Sequence, residues 1–396
     1  MVPEGWSITK LSDLADVKRG AGSQYLTYVD DPDDGIRLIR IGDFLGDNPK
    51  YVSHTPDMNR FILKKGDILI AGTGATAGIT FEVPEHFEGF AFSYNAPRIR
   101  PKSSVDKVFL VNFLKSNEIT KQQRSLFTGN AQPFLDTKAI GGFRISTPPL
   151  PEQRKIADIL ATWDAAIEKT EALLATAKDQ KRALMQSLLT GKRRFPDFEG
   201  QPWKEVRLGE TGTTVSGGTP DSTVASNWDG DIHWATPTDI TKLTSRFIRK
   251  TARMITESGL KGSSAKLVPS GTILICTRAT IGEMAIATGP ICTNQGFKNL
   301  VLSDAFDSDF IFYLLQFFKK DLIRYACGST FLELSKKDFD KRSFLMPELG
   351  EQRRIAAVLN DAEDQIAEHA QSITKLRTEK KALMQQLLTG KRRVSL

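Results

Sequence analysis

The sequence predicts an α+β protein: two domains of small twisted sheets plus helices, separated by two long antiparallel coiled-coil helices with pseudo-twofold symmetry. Three observations predict it. First, the chain repeats itself. "ALMQSLLTGKRRF" from Ala183 returns as "ALMQQLLTGKRRV" from Ala382, and "EQRKIADIL" from Glu152 returns as "EQRRIAAVL" from Glu351, each 199 residues later. Second, both repeated ends carry an uninterrupted heptad pattern. Third, the stretches before them show short apolar runs divided by Gly, Pro, Asn and Asp turns. The ends align without a gap over about forty residues, while the roughly 150 before each have diverged, as in a tandem duplication whose variable parts drifted.

Residues 1–149 are expected to form the first domain. Its strand candidates are "IRLIRIGDF" at Ile36 and "GDILIA" at Gly66, and a helix is expected at "FLVNFLKSN" after Val108. Residues 150–195 form the first spacer helix. Its seam reads Ile156, Leu160, Trp163, Ile167, Thr170, Leu174, Ala177, Lys181, Leu184, Leu188, with the alternating four and three spacing of coiled-coil a and d positions. Pro148, Pro149 and Pro151 stand where proline is tolerated or ends the preceding structure, and Gly191 suits a C′ cap. The Lys-Arg-Arg that follows lies near the negative end of the helix dipole.

Residues 196–346 repeat the domain in weaker form. "PWKEVRLGET" near Trp203 answers "GWSITKLSDL" near Trp6, and "GTILICTRATIG" at Gly271 answers "GDILIAGTGATAG" at Gly66. Asn294 answers Asn95, Leu334 answers Leu135, and "FIFYLLQFFKK" after Asp309 is the helix counterpart. Residues 347–396 form the second spacer helix, with Pro347 before it and Gly390 after its last seam residues. Its seam is Ile355, Leu359, Ala362, Ile366, His369, Ile373, Leu376, Lys380, Leu383, Leu387. One amphipathic helix cannot bury its seam alone, so the two are expected to pair, and connectivity favours an antiparallel pairing. The polar members Thr170, His369, Lys181 and Lys380 fix register at a cost in stability. Trp163 is expected to pack.

At 43.9 kDa, 40% hydrophobic and 26% charged, the chain has room for two globular cores and the composition of a soluble protein. Runs such as "DFIFYLLQFF" are too short to span a bilayer, and "MVPEGWSITK" lacks a signal-peptide pattern, so no membrane is expected and the cytoplasm is the default. Cys276, Cys292 and Cys327 form no C-x-x-C pair and the four histidines are scattered, so no disulfide or metal site is expected. A pI near 9.1 and a net charge of +7 favour a polyanionic partner.

"GTGATA" from Gly72 fits the loose dinucleotide pattern, which needs a following helix to hold phosphate. Here "GITFEVP" follows and reads as a strand, and the counterpart "CTRATIG" lacks the glycines, so a glycine-rich turn is expected. The chain has no G-x-x-x-x-G-K-[ST] loop, no G-x-S-x-G elbow and no Asn/Asp-Pro-Pro-Tyr/Phe tetrapeptide; "TPPL" at Thr147 lacks both the amide and the aromatic. No catalytic residue is singled out.

At this point the chain resembles the specificity (S) subunit of type I restriction–modification systems. The resemblance rests on "PPLPEQRKIADIL" at Pro148 with "MPELGEQRRIAAVL" at Met346, the two "LLTGKRR" endings, "IRIGDF" at Ile39, and "VSGGTPDSTVASNWDGDIHWATPTDI" from Val215. "VKRGAGSQY" at Val17 departs from the S-G-x-T-P form found in the second domain. The resemblance implies two target-recognition domains, each reading one half of an asymmetric bipartite sequence in double-stranded DNA. It implies helices that set the spacing and dock two modification (methyltransferase) subunits, with restriction (endonuclease/translocase) subunits joining in some complexes. S-adenosylmethionine and ATP would then belong to those partners, and this chain would be non-catalytic with no cofactor of its own. From Ile156 to Leu188 a helix spans about 48 Å, or about fourteen base pairs of B-DNA, an upper estimate for the separation of half-sites.

Arg and Lys can pair with guanine and Gln with adenine, while most cationic contacts only hold phosphates. On that basis the DNA-binding candidates are Arg19, Arg40, Tyr94, Arg98, Gln132 and Lys138 in the first domain. In the second they are Arg278, Gln295, Lys298, Thr330, Lys336 and Lys337. They lie in turns or at the ends of apolar runs. Other readings are the recognition subunit of a different bipartite restriction system, a non-catalytic coiled-coil scaffold, and an enzyme using the "GTGATA" loop.

Overall fold

The run Ile68–Ile70 is apolar at every position because both faces of its sheet are covered, so alternate side chains enter different cores. The computed structural model describes residues 2–395 apart from 45, 47, 128–132, 279 and 325–332. Its contacts group into two units: Met1–Glu171 with Gln371–Leu396, and Ala172–Ala370.

In the first unit the main sheet is antiparallel, ordered Ala15–Lys18, Arg98–Pro101, Ile68–Ile70, Thr80–Glu82. Ile68, Ile70 and Ile99 point to a core with Phe109, Phe113 and Phe143. Leu69 points to another core, shared with Leu38, Ile39, Ala91 and Phe92 of a second small sheet. The second unit repeats this order as Gly212–Ser216, Phe297–Leu302, Ile273–Cys276, Met284–Ala287, and adds Phe247–Ile248 at one edge. Again Ile273 and Ile275 enter one core, and Leu274 and Cys276 the other. The expected helices are present as Lys107–Leu114 and Ser308–Phe317, capped by Asp106 and Asp307, which accept from Phe109 N and Phe310 N at 2.9 Å. The "GTGATA" stretch forms a single turn, Gly74–Thr76, and then the strand Thr80–Glu82, so no helix follows it.

The long helices are α1 (Leu150–Leu188) and α2 (Leu349–Leu387), each 39 residues. Every predicted seam position is buried or half-buried. That holds for Ile156, Leu160, Trp163, Ile167, Leu174, Leu184 and Leu188 on α1. It holds equally for Ile355, Leu359, Ile366, Ile373, Leu376, Leu383 and Leu387 on α2. Within the first unit, Ile156 and Leu160 at the start of α1 share a core with Leu387 and Leu388 at the end of α2. In the second unit, Leu188 and Leu189 share one with Ile355 and Leu359. The pairing is antiparallel in both. The seam lysines are neutralised across the helices, Lys380 by Asp164 in the first unit and Lys181 by Glu363 at 3.2 Å in the second.

The repeated phrases hold each helix end to its own domain. Glu152, buried, accepts from Trp6 Nε1 at 3.1 Å and from Arg393 Nε and Nη2 at 2.7 and 2.9 Å. Glu351 accepts from Trp203 Nε1 at 3.0 Å and from Arg194 at 2.6 and 2.7 Å. The neighbouring Gln153 and Gln352 accept from Asp106 N and Asp307 N, and donate to Pro148 O and Pro347 O at 2.9 Å. The last arginine of each "GKRR" is thus a fixed partner of a buried carboxylate.

Candidate nucleic-acid interface

One end of each main sheet gathers three segments by backbone hydrogen bonds. In the first unit Gly72 N donates to Asn95 O and Leu135 N donates to Gly72 O, both at 2.8 Å, and Thr73 bridges Phe134. In the second, Thr277 N donates to Gly296 O at 2.7 Å, Leu334 N donates to Thr277 O at 3.1 Å, and Arg278 bridges Glu333. A fourth segment arrives from the first strand, and glycine is required there. A Cβ on Gly20 would overlap the Ser93 carbonyl oxygen, and one on Gly217 that of Asn294.

In the first unit these segments bring Arg19, Arg40 and Tyr94 to one neighbourhood. Arg19 Nη1 donates to Tyr94 Oη at 2.9 Å, and its guanidinium carbon lies 4.1 Å from the Tyr94 ring centroid and 5.0 Å from that of Phe134. Both rings are exposed. Tyr94 and Arg40 line a cleft of about 720 Å³ with Gly22, Gln24, Tyr28 and Asn95. Arg40 is spoken for by its neighbours: Nε donates to Asp43 at 3.4 Å and Nη2 to Asn48 O at 2.6 Å, while its own N–H also meets Asp43. Arg98 is buried on its strand and pairs with Asp16. Burial, with the nearby charge of Arg100, lowers its pKa from the usual arginine value. Lys138 is exposed on the short helix Thr137–Gly141.

In the second unit Arg278 and Lys298 meet at Glu333. Arg278 Nη2 lies 2.8 Å from Glu333 Oε2, and Lys298 Nζ 3.7 Å from Oε1. Lys298 is buried, and burial lowers its pKa although Glu333 opposes the shift. Gln295 is exposed and accepts from Thr219 Oγ1. Lys336 and Lys337 are exposed on the helix Lys336–Asp340, whose N-cap Ser335 follows the Glu333 segment. Gln132 and Thr330 lie outside the described residues. Phe134 and Glu333 were not singled out from sequence. Their only signal there is an identical offset of 199, two residues before matching helix caps.

Among the described residues no group of three or more His, Cys, Asp or Glu side chains could hold a metal ion. No helix among them is long and apolar enough to cross a membrane. Cys276 and Cys292 are buried thiols whose pKa burial pushes up to about 11. What this surface offers is therefore cations, amides and aromatic rings placed on sheet-end turns, which suits nucleic-acid contact.

The comparisons with known proteins point the same way. The family described as type I restriction modification DNA specificity domain matches residues 3–178 and again 200–378. A putative type I restriction enzyme MjaX specificity subunit from Methanocaldococcus jannaschii is 26% identical over 422 residues, covering 99% of this chain and 95% of that relative. The MjaIX specificity subunit of the same organism is 36% identical over 168 residues, a match limited to 41% of this chain and 38% of the relative's length. Among solved structures, a chain from work on complex assembly and conformational transition of the type I R-M system superposes with a TM-score of 0.65. It is 23% identical, covers 98% of both chains, and so shares the fold. With the domain matched twice over nearly all its length, the chain belongs to the type I restriction modification DNA specificity family.

Proposed function

We propose that this chain is the DNA-specificity subunit of a type I restriction–modification complex, in which each recognition domain reads one half of an asymmetric bipartite target. The observation that carries this is a shared frame with different chemistry on it. The family matches both halves and their strand orders correspond, yet the sheet-end turns present Arg19, Tyr94 and Phe134 in one domain and Arg278 and Glu333 in the other. Duplicated frames with unlike surfaces suit two unrelated half-sites, where a symmetric dimer would suit a palindrome.

In this reading residues 1–149 and 196–346 are the recognition domains, and residues 150–195 and 347–396 are spacers. The long helices set the spacing of the half-sites and dock two modification subunits, and restriction subunits join where the system has them. The chain itself is non-catalytic; S-adenosylmethionine and ATP are used by its partners, and the complex works in the cytoplasm. Specific readout comes from the domain turns, and the overall charge of +7 adds sequence-independent affinity that weakens with salt.

The test is a methylation map. The chain is co-expressed with its methyltransferase partner in a host without adenine methylation, and modified adenines are located by sequencing. The expected result is a split motif with an unread spacer, one half of which changes when residues 1–149 or 196–346 are exchanged for those of a relative. Methylation that is indifferent to deletion of this chain overturns the proposal and leaves a coiled-coil scaffold as the better reading.

A further inference from the structure

We propose that Arg19 and Arg278 are the guanine-reading side chains of the first and second domains, held in orientation by Phe134 and Glu333. This rests on the reading of the chain as a DNA-specificity subunit.

A base-reading arginine must be accessible, must keep N–H donors free for the O6 and N7 acceptors of guanine, and must be held in place before DNA arrives. Most of the other cationic candidates fail one of these conditions. Arg98 and Lys298 are buried. Arg40 commits two side-chain N–H groups, to Asp43 and to Asn48 O, where Arg19 commits one. Lys138, Lys336 and Lys337 are exposed point charges on short helices, suited to phosphates.

Arg19 and Arg278 come closest to all three: Arg278 is exposed, and Arg19 is half-buried, with Nε enclosed and the N–H groups of Nη1 and Nη2 beyond the one given to Tyr94 left for a base. Arg19 lies against two exposed rings, commits one N–H to Tyr94, and has no carboxylate partner among the described residues. Arg278 has a half-exposed side chain paired ionically through Nη2 with Glu333 Oε2 at 2.8 Å, and its exposed edge remains for a ligand.

The strand registers place these groups in one frame. Lys18 opposite Arg98 corresponds to Val215 opposite Asn299, so Arg19 corresponds to Ser216, and Gly20 to Gly217. On the other side the bridge Thr73–Phe134 corresponds to Arg278–Glu333. Each domain therefore carries one braced guanidinium at its sheet end, supplied from a different segment and braced from the same position. The two arginines approach DNA from different segments, so the guanines they read fall at different places in the two half-sites.

The experiment uses the full chain, assembled with its methyltransferase subunits, and a pool of randomised DNA duplexes, with bound sequences read by sequencing. Arg19→Ala and Arg278→Ala are each expected to lose preference for guanine at one position of one half-site, by roughly 10- to 100-fold, with the other half-site unchanged. Arg19→Lys and Arg278→Lys keep the charge but not the bidentate fork, and are expected to lose the same preference while retaining overall affinity. Phe134→Leu and Glu333→Gln are expected to blur the same positions and no others. Uniform weakening across all sequences with a shallower salt dependence would make these arginines phosphate contacts and overturn the inference, as would unchanged preferences. If the wild-type complex enriches no bipartite sequence at all, the specificity-subunit reading fails with it.

Discussion

Gly191 and Gly390 occupy the same place in the two "LLTGKRR" phrases, and both have φ +69°, a left-handed conformation that costs an L-residue about 1–2 kcal/mol. Their surroundings differ. The nearest atoms to a Cβ on Gly191 would be those of the Trp203 ring, at 3.6 Å, whereas one on Gly390 would stand 2.9 Å from Pro3 Cδ and closer still to its Cγ. Gly390→Ala is therefore expected to destabilise the protein more than Gly191→Ala, seen as the larger fall in urea midpoint. Glu351 sits under two Arg194 bonds and one from Trp203, so Glu351→Gln is expected to cost about 1–3 kcal/mol, since a charge-assisted pair becomes a neutral one in a buried place. The same measurement checks it, and an unchanged midpoint would mean that the carboxylate is not what anchors the helix end.

At the scale of elements, the two seam lysines have different neighbours. In the first unit Lys380 meets Asp164, which is more than half exposed, a pairing worth little. In the second, Lys181 meets Glu363 within a network: Tyr313 Oη donates to Glu363 at 2.6 Å and lies 2.9 Å from Asn360 Oδ1, and Arg246 bonds Asp309 at 2.8 Å. The helix caps Asp106 and Asp307 match, which puts Asn112 where the second unit has Tyr313, so the first unit has no tyrosine hydroxyl to donate at this place. Burial works to raise the Glu363 pKa, but the Tyr313 hydroxyl and the charges of Lys181 and Arg246 prevail and hold it below the ordinary 4.5. A carboxylate depressed in the folded state adds stability above about pH 4.5 that is lost as the pH falls through its folded value. Glu363→Gln is thus expected to lower stability at pH 7 and to converge with the wild type in acid, measured by urea unfolding across pH. A constant gap at all pH values would remove the electrostatic account. Tyr313→Phe, which deletes one buried donor, is expected to cost about 1–3 kcal/mol.

At the scale of the whole molecule, the proposal that helix length sets half-site spacing gives a discrete prediction. One heptad added to each helix at matching seam positions preserves the seam and lengthens each by about 10 Å. The unread spacer of the methylated motif is then expected to grow by about three base pairs, with both half-sites intact. An unchanged spacer in a well-folded variant would show that something other than these helices measures the distance. A single added residue shifts the seam out of register and is expected to cost stability before it alters spacing.

The sequence by itself determined the duplication, the two long helices with every seam position, the main strands and the family, because all of these are written in periodicity or in contiguous phrases. It also showed that "GTGATA" is a turn, since the residues after it alternate as a strand. What it could not reveal is which residues meet across the chain. The repeated Glu152 and Glu351 read as helix-start residues, yet each is the acceptor for a tryptophan and an arginine that are 146 and 241, or 148 and 157, positions away. Nor could it separate Arg98 and Lys298, which the fold encloses, from Arg19 and Arg278, which it presents. Phe134 and Glu333 gained meaning only when the sheet ends brought them beside a guanidinium. Local pattern fixes an element because its hydrogen bonds and its buried face are local, whereas a side chain's exposure and partners follow from packing between segments far apart in the chain.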